Sequence, residues 1–233
     1  MKSKIIIFAV LGFLGIGFQG CEKETTAGFT DITIYPVLEV LGDPIVFTNK
    51  GEPYEDAGVS AELDGEDVVD QVVVQSNVNT DEPGIYSVNY SITNADGFTV
   101  TGSRTVCVTD PTPSTITAGI KTVSAGTNRS GGTGVVAYSG YPVLILQMEP
   151  GIFYITDFFG GYYEVRAGYG PAYAMKGNFK LNANNTLTLI DSGVDGWGDS
   201  LDGISNASVD PATGTIKFTA SYAGTYNFNV ILN

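Results

Sequence analysis

Histidine is absent from all 233 residues, which removes imidazole general bases and imidazole metal ligands together. Charge is scarce as well, at 15% of residues, and the basic sign is the rarer one, with 11 Lys and Arg against 25 Asp and Glu. A formal net charge of −14 repels phosphate backbones, so nucleic acid is excluded as a partner. Helical periodicity is missing too: in 115–233 no stretch of twelve or more residues repeats its apolar positions every 3.6 residues. What is plentiful is glycine (30), tyrosine (13), phenylalanine (12) and proline (10). That composition belongs to short strands joined by tight turns.

Lys2 and Lys4 precede an uncharged run from Ile5 to Gly20. The run is short of the roughly 20 apolar residues that cross a bilayer, and its layout is that of a secretory signal. It ends in Phe18-Gln19-Gly20-Cys21. A small residue just before a cysteine resembles the lipobox of bacterial lipoproteins, in which the thiol is acylated and becomes the first residue. Residues 1–20 therefore read as a lipoprotein signal peptide, Cys21 as the lipidation site, and 21–30 as the acylated cysteine and its tether. Loss of Lys2 and Lys4 with the leader leaves nine basic side chains against 25 acidic ones. Glu22, Lys23 and Glu24 resemble the export signal of Bacteroidetes lipoproteins, which implies an outer-membrane, cell-surface-exposed, lipid-anchored protein. With Cys21 acylated, Cys107 has no disulfide partner, and without histidine it has no activating base. It reads as a structural thiol in the strand-like run Thr105–Thr109.

Two prolines among small polar residues, Asp110-Pro111-Thr112-Pro113-Ser114, mark a stiff linker at 111–114. It divides the exported chain into 31–110 and 115–233. In the first part Tyr86, Val88, Tyr90 and Ile92 alternate with polar residues, the period of a half-buried antiparallel strand. Asn94-Ala95-Asp96-Gly97 then turns the chain into a second strand from Phe98 to Val108. Further strands are expected over Asp70–Gln75 and Ile32–Val40, giving a small immunoglobulin-type sandwich without its intersheet disulfide. Gly51-Glu52-Pro53-Tyr54-Glu55-Asp56-Ala57-Gly58-Val59, Asn77-Val78-Asn79-Thr80 and Pro83-Gly84-Ile85-Tyr86 resemble the bacterial surface-protein Ig-like repeat. Members of that family are mostly spacers or adhesion modules, so the resemblance implies no catalytic residues. Asp56 and Asp64 read as solvated turn carboxylates, with calcium ligation the lesser alternative.

The second part also reads as β. Phe179 and Leu181 face Leu187 and Leu189 across Asn182–Asn185, Ile216 and Phe218 follow the turn Asp210–Gly214, and Tyr226, Phe228, Val230 and Leu232 alternate to the end. A second antiparallel sandwich or barrel-like domain is expected, so the fold class is all-β. Eleven aromatics fall in the 42 residues from Tyr138 to Phe179, about 26% against 11% for the whole chain. Glycines cut this segment into turns, and Trp197, the single tryptophan, sits between Gly196 and Gly198. Aromatic faces stack on the C–H faces of sugar rings, while nearby amides, carboxylates and guanidinium groups bind hydroxyls. Trp197, Tyr162, Tyr163, Tyr169 and Tyr173, with Asp157, Glu164, Arg166, Asp195 and Asp199 as polar partners, are the candidate ligand-binding set. Burial of the same rings in a core is the competing reading.

Tyr154-Ile155-Thr156-Asp157-Phe158-Phe159-Gly160-Gly161-Tyr162-Tyr163 and Gly196-Trp197-Gly198-Asp199-Ser200-Leu201 resemble the second domain of Bacteroidetes surface lipoproteins that also carry the Ig-like repeat. Such proteins are associated with polysaccharide-utilisation loci, which implies carbohydrate binding but assigns no residues. The leading expectation is thus a non-catalytic lipoprotein binding a polysaccharide or oligosaccharide, with the Ig-like part as spacer and outer-membrane transporter companions as further partners. A structural or adhesion protein binding another outer-membrane protein is the second reading. A glycoside hydrolase using Asp157 and Glu164 is the third. No cofactor is expected. Asp191, Asp195, Asp199 and Asp202 crowd one loop without the EF-hand spacing, so no metal is expected either.

Overall fold

The computed structural model describes residues 32–233. The leader, Cys21 and the tether lie outside the described residues. The Ig-like half contains β1 (Val37–Val40), β2 (Ile45–Asn49), β3 (Val59–Leu63), β4 (Glu66–Asp67), β5 (Val73–Ser76), β6 (Gly84–Thr93) and β7 (Thr99–Thr109). They form a three-stranded sheet, β1-β3-β4, and a four-stranded sheet, β2-β7-β6-β5. All pairs are antiparallel except β2 with β7. The hairpin at Asn94–Gly97 pairs Thr93 with Thr99 and runs the whole length of β6. Two expected strands are shorter than predicted. Ile32–Val40 contracts to β1, and Asp70–Gln75 begins as a 3₁₀ turn, Val69–Gln71, before β5. The Val69 amide donates to the Asp67 carboxylate, a local bond that competes with strand pairing there.

The motif letters acquire physical meaning in this half. Asp56 is a paired rather than a free turn carboxylate: its side chain keeps 26% exposure and pairs with the guanidinium of Arg104, a β7 side chain that is 1% exposed. Asp56 also accepts Tyr54 Oη at 2.7 Å, Tyr90 Oη at 2.5 Å and the Gly58 amide at 3.1 Å. Burial alone would raise its carboxyl, but these three donors and the Arg104 charge outweigh it and hold the pKa below the usual value. Arg104 in turn donates to the carbonyls of Leu41 and, at 3.1 Å, Asp43. Asn77 accepts the Ser87 amide at 2.8 Å and Tyr86 donates to the Glu82 carbonyl at 2.8 Å, which fixes the turn into β6.

The second half contains β8 (Gly119–Thr122), β9 (Asn128–Ser130), β10 (Val136–Ala137), β11 (Pro142–Glu149), β12 (Ile152–Ile155), β13 (Lys176–Leu181), β14 (Leu187–Gly193), β15 (Gly203–Val209), β16 (Ile216–Tyr222) and β17 (Tyr226–Leu232). Two five-stranded antiparallel sheets result, β10-β9-β17-β16-β15 and β14-β13-β12-β11-β8. The sheets are separate, so the sandwich alternative holds and the barrel does not. Their shared core contains Phe153, Phe158, Phe159, Phe179 and Phe228, all at most 2% exposed. Each contributes roughly 1.5–3 kcal/mol by leaving water. At the junction, the Thr109 hydroxyl accepts the Gln147 amide at 3.1 Å, and the Asp110 amide reaches the Gln147 carbonyl at 2.7 Å. The end of β7 thus extends the β11 edge beyond β8.

Cys107 lies on β7 and is fully buried. Burial pushes its thiol up to about 11, so almost no thiolate exists near neutrality. Native protein is expected to resist iodoacetamide at pH 8, with Cys107 alkylated stoichiometrically once denaturant is added; peptide mapping distinguishes the two states.

Candidate functional site

Between β12 and β13 the chain makes a loop whose shape is set by Asp157. Its Oδ1 accepts the amides of Phe159 at 2.8 Å and Met175 at 2.9 Å, and its Oδ2 accepts the Gly161 amide at 2.7 Å. The side chain is 1% exposed. Burial pushes its pKa up to about 7, against the opposing pull of the three amides. Asp157 therefore cannot touch a sugar or act as a hydrolase acid: both oxygens are committed to backbone donors. It is the anchor of the loop, and the expectation that it binds ligand is corrected on that ground.

The anchored loop passes through Gly161 at φ +77°, where a Cβ would also stand 2.7 Å from that of Tyr141. A π-helical turn, Tyr162–Arg166, follows. Its 1→6 bonds run from the Arg166 amide to the Gly161 carbonyl (2.9 Å) and from the Ala167 amide to the Tyr162 carbonyl (3.0 Å). Such turns are uncommon and concentrate at functional sites. This one sends Tyr162 inward, leaves Tyr163 half-buried and puts Arg166 in solvent. Tyr162 is 7% exposed and packs edge-on against Tyr138 and Phe228. As a stacking surface for a ligand it is corrected to a core ring. A 3₁₀ turn, Pro171–Tyr173, then delivers Tyr173.

Trp197 arrives from the loop between β14 and β15. The Val194 amide bonds the Asp199 carbonyl at 2.9 Å, closing that loop, and the Gly196 amide bonds the Ala172 carbonyl at 2.7 Å, tying it to the first. Gly196 permits the approach, since a Cβ there would lie 2.6 Å from the Tyr173 ring. The indole meets Tyr163 at 4.8 Å and Tyr173 at 4.9 Å between centroids, both nearly edge-on, and Tyr169 at 6.2 Å. Beneath it lies Tyr222 of β16, stacked at 6.0 Å. Sequence reasoning missed Tyr222, although its alternation in β16 marked it as inward-facing. Its hydroxyl donates to Asp199 at 2.8 Å.

Four of the five candidate rings are thus brought together, but not as a flat platform. They interlock, with Trp197 38% and Tyr169 55% exposed. Among the described residues, the indole N–H of Trp197 and the hydroxyls of Tyr163, Tyr169 and Tyr173 make no hydrogen bond within the protein, so they remain available at the rim. The polar candidates divide. Asp195 pairs with Lys176 at 2.6 Å in solvent, Asp199 holds Tyr222, Glu164 stays half-buried on the π-helical turn, and Arg166 lies 5.2 Å from the Tyr162 centroid. A second cation missed by sequence, Arg129 of β9, sits 5.2 Å from the same ring. No three acidic or cysteine side chains gather at metal-binding distance among the described residues.

A family model for a C-terminal domain matches residues 110–233, and the model of the bacterial surface protein Ig-like domain matches residues 38–108. The crystal structure of the lipoprotein BT2262 from Bacteroides thetaiotaomicron is similar along 85% of this chain and 100% of its own, with 49% identity and a TM-score of 0.80. A structure of the CBM51-2 and INT domains of Clostridium perfringens ZmpB with GlcNAc covers 52% of this chain and 31% of its own at 21% identity. Its TM-score of 0.28 is too low to establish a common fold. No curated protein matches the chain.

Proposed function

The chain belongs to the family of the lipoprotein BT2262 from Bacteroides thetaiotaomicron, and from that premise we propose that it is a non-catalytic glycan-binding protein held at the outer membrane by a lipid on Cys21. The observation that carries the reading is the rim of the ring cluster. Trp197 and Tyr169 keep ring area in water, beside an indole N–H and phenol hydroxyls that have no partner in the protein. A sugar ring covering Trp197 exchanges that wet surface for C–H contacts, while its hydroxyls reach the free polar tips. Rigid neighbours pre-pay the ordering cost, because the surrounding rings already fix the indole.

Trp197 is the only tryptophan, so its emission reports occupancy directly. Titration with a panel of soluble polysaccharides is expected to shift that emission for at least one glycan. Trp197→Ala, followed by calorimetry, is expected to cost about 2 kcal/mol, roughly thirtyfold in affinity, with circular dichroism unchanged. Absence of both heat and emission change across the panel would overturn the proposal.

A second reading has its own observation. Ile85, Ile120 and Val165, each more than 40% exposed, line one shallow cleft with Pro142, Leu144 and Ala174. Exposed apolar surface of this kind suits a protein partner such as a transporter companion. Co-purification of an outer-membrane protein that is lost on Ile120→Asp favours it; retention of the same partner by that variant opposes it.

A further inference from the structure

Two cations share one ring beside the cluster. The guanidinium carbons of Arg129 and Arg166 each lie 5.2 Å from the Tyr162 centroid, and Arg129 is also 5.1 Å from that of Tyr226. Among the described residues the ion pairs are Arg104 with Asp56 and Lys176 with Asp195, so neither of these arginines has a carboxylate partner. This is unexpected in a chain where acids outnumber bases 25 to 11. The Nε–H of Arg129 is out of solvent and donates no hydrogen bond. Its position is held by ring faces rather than by an acceptor. Both guanidiniums lie against the Tyr162 ring, and no ion pair among the described residues offsets either charge, so an anion reaching this side of the cluster would supply the partner they lack.

We propose that Arg129 and Arg166 form an anion subsite flanking the ring cluster, and that the ligand is an acidic saccharide bearing a carboxylate or a sulfate ester. The inference rests on the glycan reading above and deepens it. Tyr162 meets Tyr163 at 5.0 Å, and Tyr163 meets Trp197 at 4.8 Å, so a short oligosaccharide spans both features. Guanidinium forks match the paired oxygens of carboxylate and sulfate, which a lysine would hold only as a point charge. The net negative charge of the protein opposes polyanions at long range. At physiological salt that field decays over about 8 Å, and inside this distance the local pair of positive charges decides. An oligosaccharide with few charges is therefore favoured over a dense polyanion.

The test uses pairs of ligands that differ only in the anion: a galacturonate oligosaccharide against its methyl ester, and a sulfated oligosaccharide against its desulfated form, all at 150 mM salt. Wild type, Arg166→Gln, Arg129→Gln and Trp197→Ala are titrated by calorimetry. At least tenfold preference for the charged member of one pair is expected, reduced about tenfold by Arg166→Gln, whose exposed side chain makes loss of folding no explanation. Which pair shows it separates carboxylate from sulfate. Equal binding of charged and neutral members, or a preference untouched by both arginine variants, overturns the subsite while the glycan reading stands. A charge preference that survives Trp197→Ala unchanged supports the subsite and opposes stacking on the indole. No binding in either pair overturns the subsite, and the glycan panel above then decides the wider reading.

Discussion

Arg104→Met is expected to destabilise the Ig-like sandwich by about 3–5 kcal/mol, read as a shift in the urea midpoint. Removing one partner of a buried charge pair leaves the other groups without their donor, which costs more than the pair itself contributes. Three groups lose a donor here: the Asp56 carboxylate and the carbonyls of Leu41 and Asp43. The Asp56 side chain is 26% exposed, so water can partly replace Arg104 on that side. The two carbonyls, joined to a side chain that is only 1% exposed, carry the rest. Asp56 remains bonded to Tyr54 and Tyr90, which is why the expected loss is not larger. Its pKa is lowered by folding, so its contribution is present above pH about 4 and is lost as pH falls through the depressed value. Wild type should therefore lose stability on acidification more steeply than the variant. A midpoint change equivalent to less than about 1 kcal/mol would show that the cluster is incidental.

Asp157→Ala is expected to cost about 3–5 kcal/mol in the second sandwich, since three buried amides lose their acceptor at ~1–3 kcal/mol each and water refills part of the gap. Asp157→Asn should cost less. Oδ1 serves both Phe159 and Met175, and an amide oxygen can hold that place, leaving only Gly161 facing an N–H group. The sign of the pH dependence is opposite to that of Asp56. Burial raises the folded pKa to about 7, above the model-compound value near 4, so the native state holds its proton more tightly than the unfolded chain. Stability from this group is complete below pH about 4 and declines as pH rises toward 7. The penalty of Asp157→Ala should thus be largest near pH 4 and shrink toward pH 7. A penalty that grows over that range would mean that the three amides, not burial, set the ionisation. If Asp157 anchors the π-helical turn, both variants also weaken whatever the ring cluster binds.

Local patterns carried most of the fold. Period-two alternation gave β6 and β17, and turn residues gave the hairpins at Asn94–Gly97 and Asn182–Asn185. What escaped was long-range. The Tyr54, Asp56 and Gly58 letters were visible as a motif, but their partner Arg104 lies 48 residues further on, beyond any local rule. Asp157 looked like a ligand group because it lies inside the aromatic segment, where a carboxylate could bind sugar hydroxyls. Three amides from separate points of the loop reversed that, and no spacing announces them. Trp197 joined Tyr163, Tyr169 and Tyr173 through glycine turns that the sequence did display. Tyr222 and Arg129 come from the opposite sheet, so their place at the site depended on how two sheets face each other.

The bond between Thr109 and Gln147 bears on how the two halves can be handled apart. A gene fragment starting after the prolines would discard the residues that cap the upper edge of β11, baring the N–H and C=O of Gln147 as a template for pairing with another copy. Soluble expression of the aromatic half alone should begin upstream of Thr109, and clumping of shorter versions would trace to that missing hem rather than to the rings.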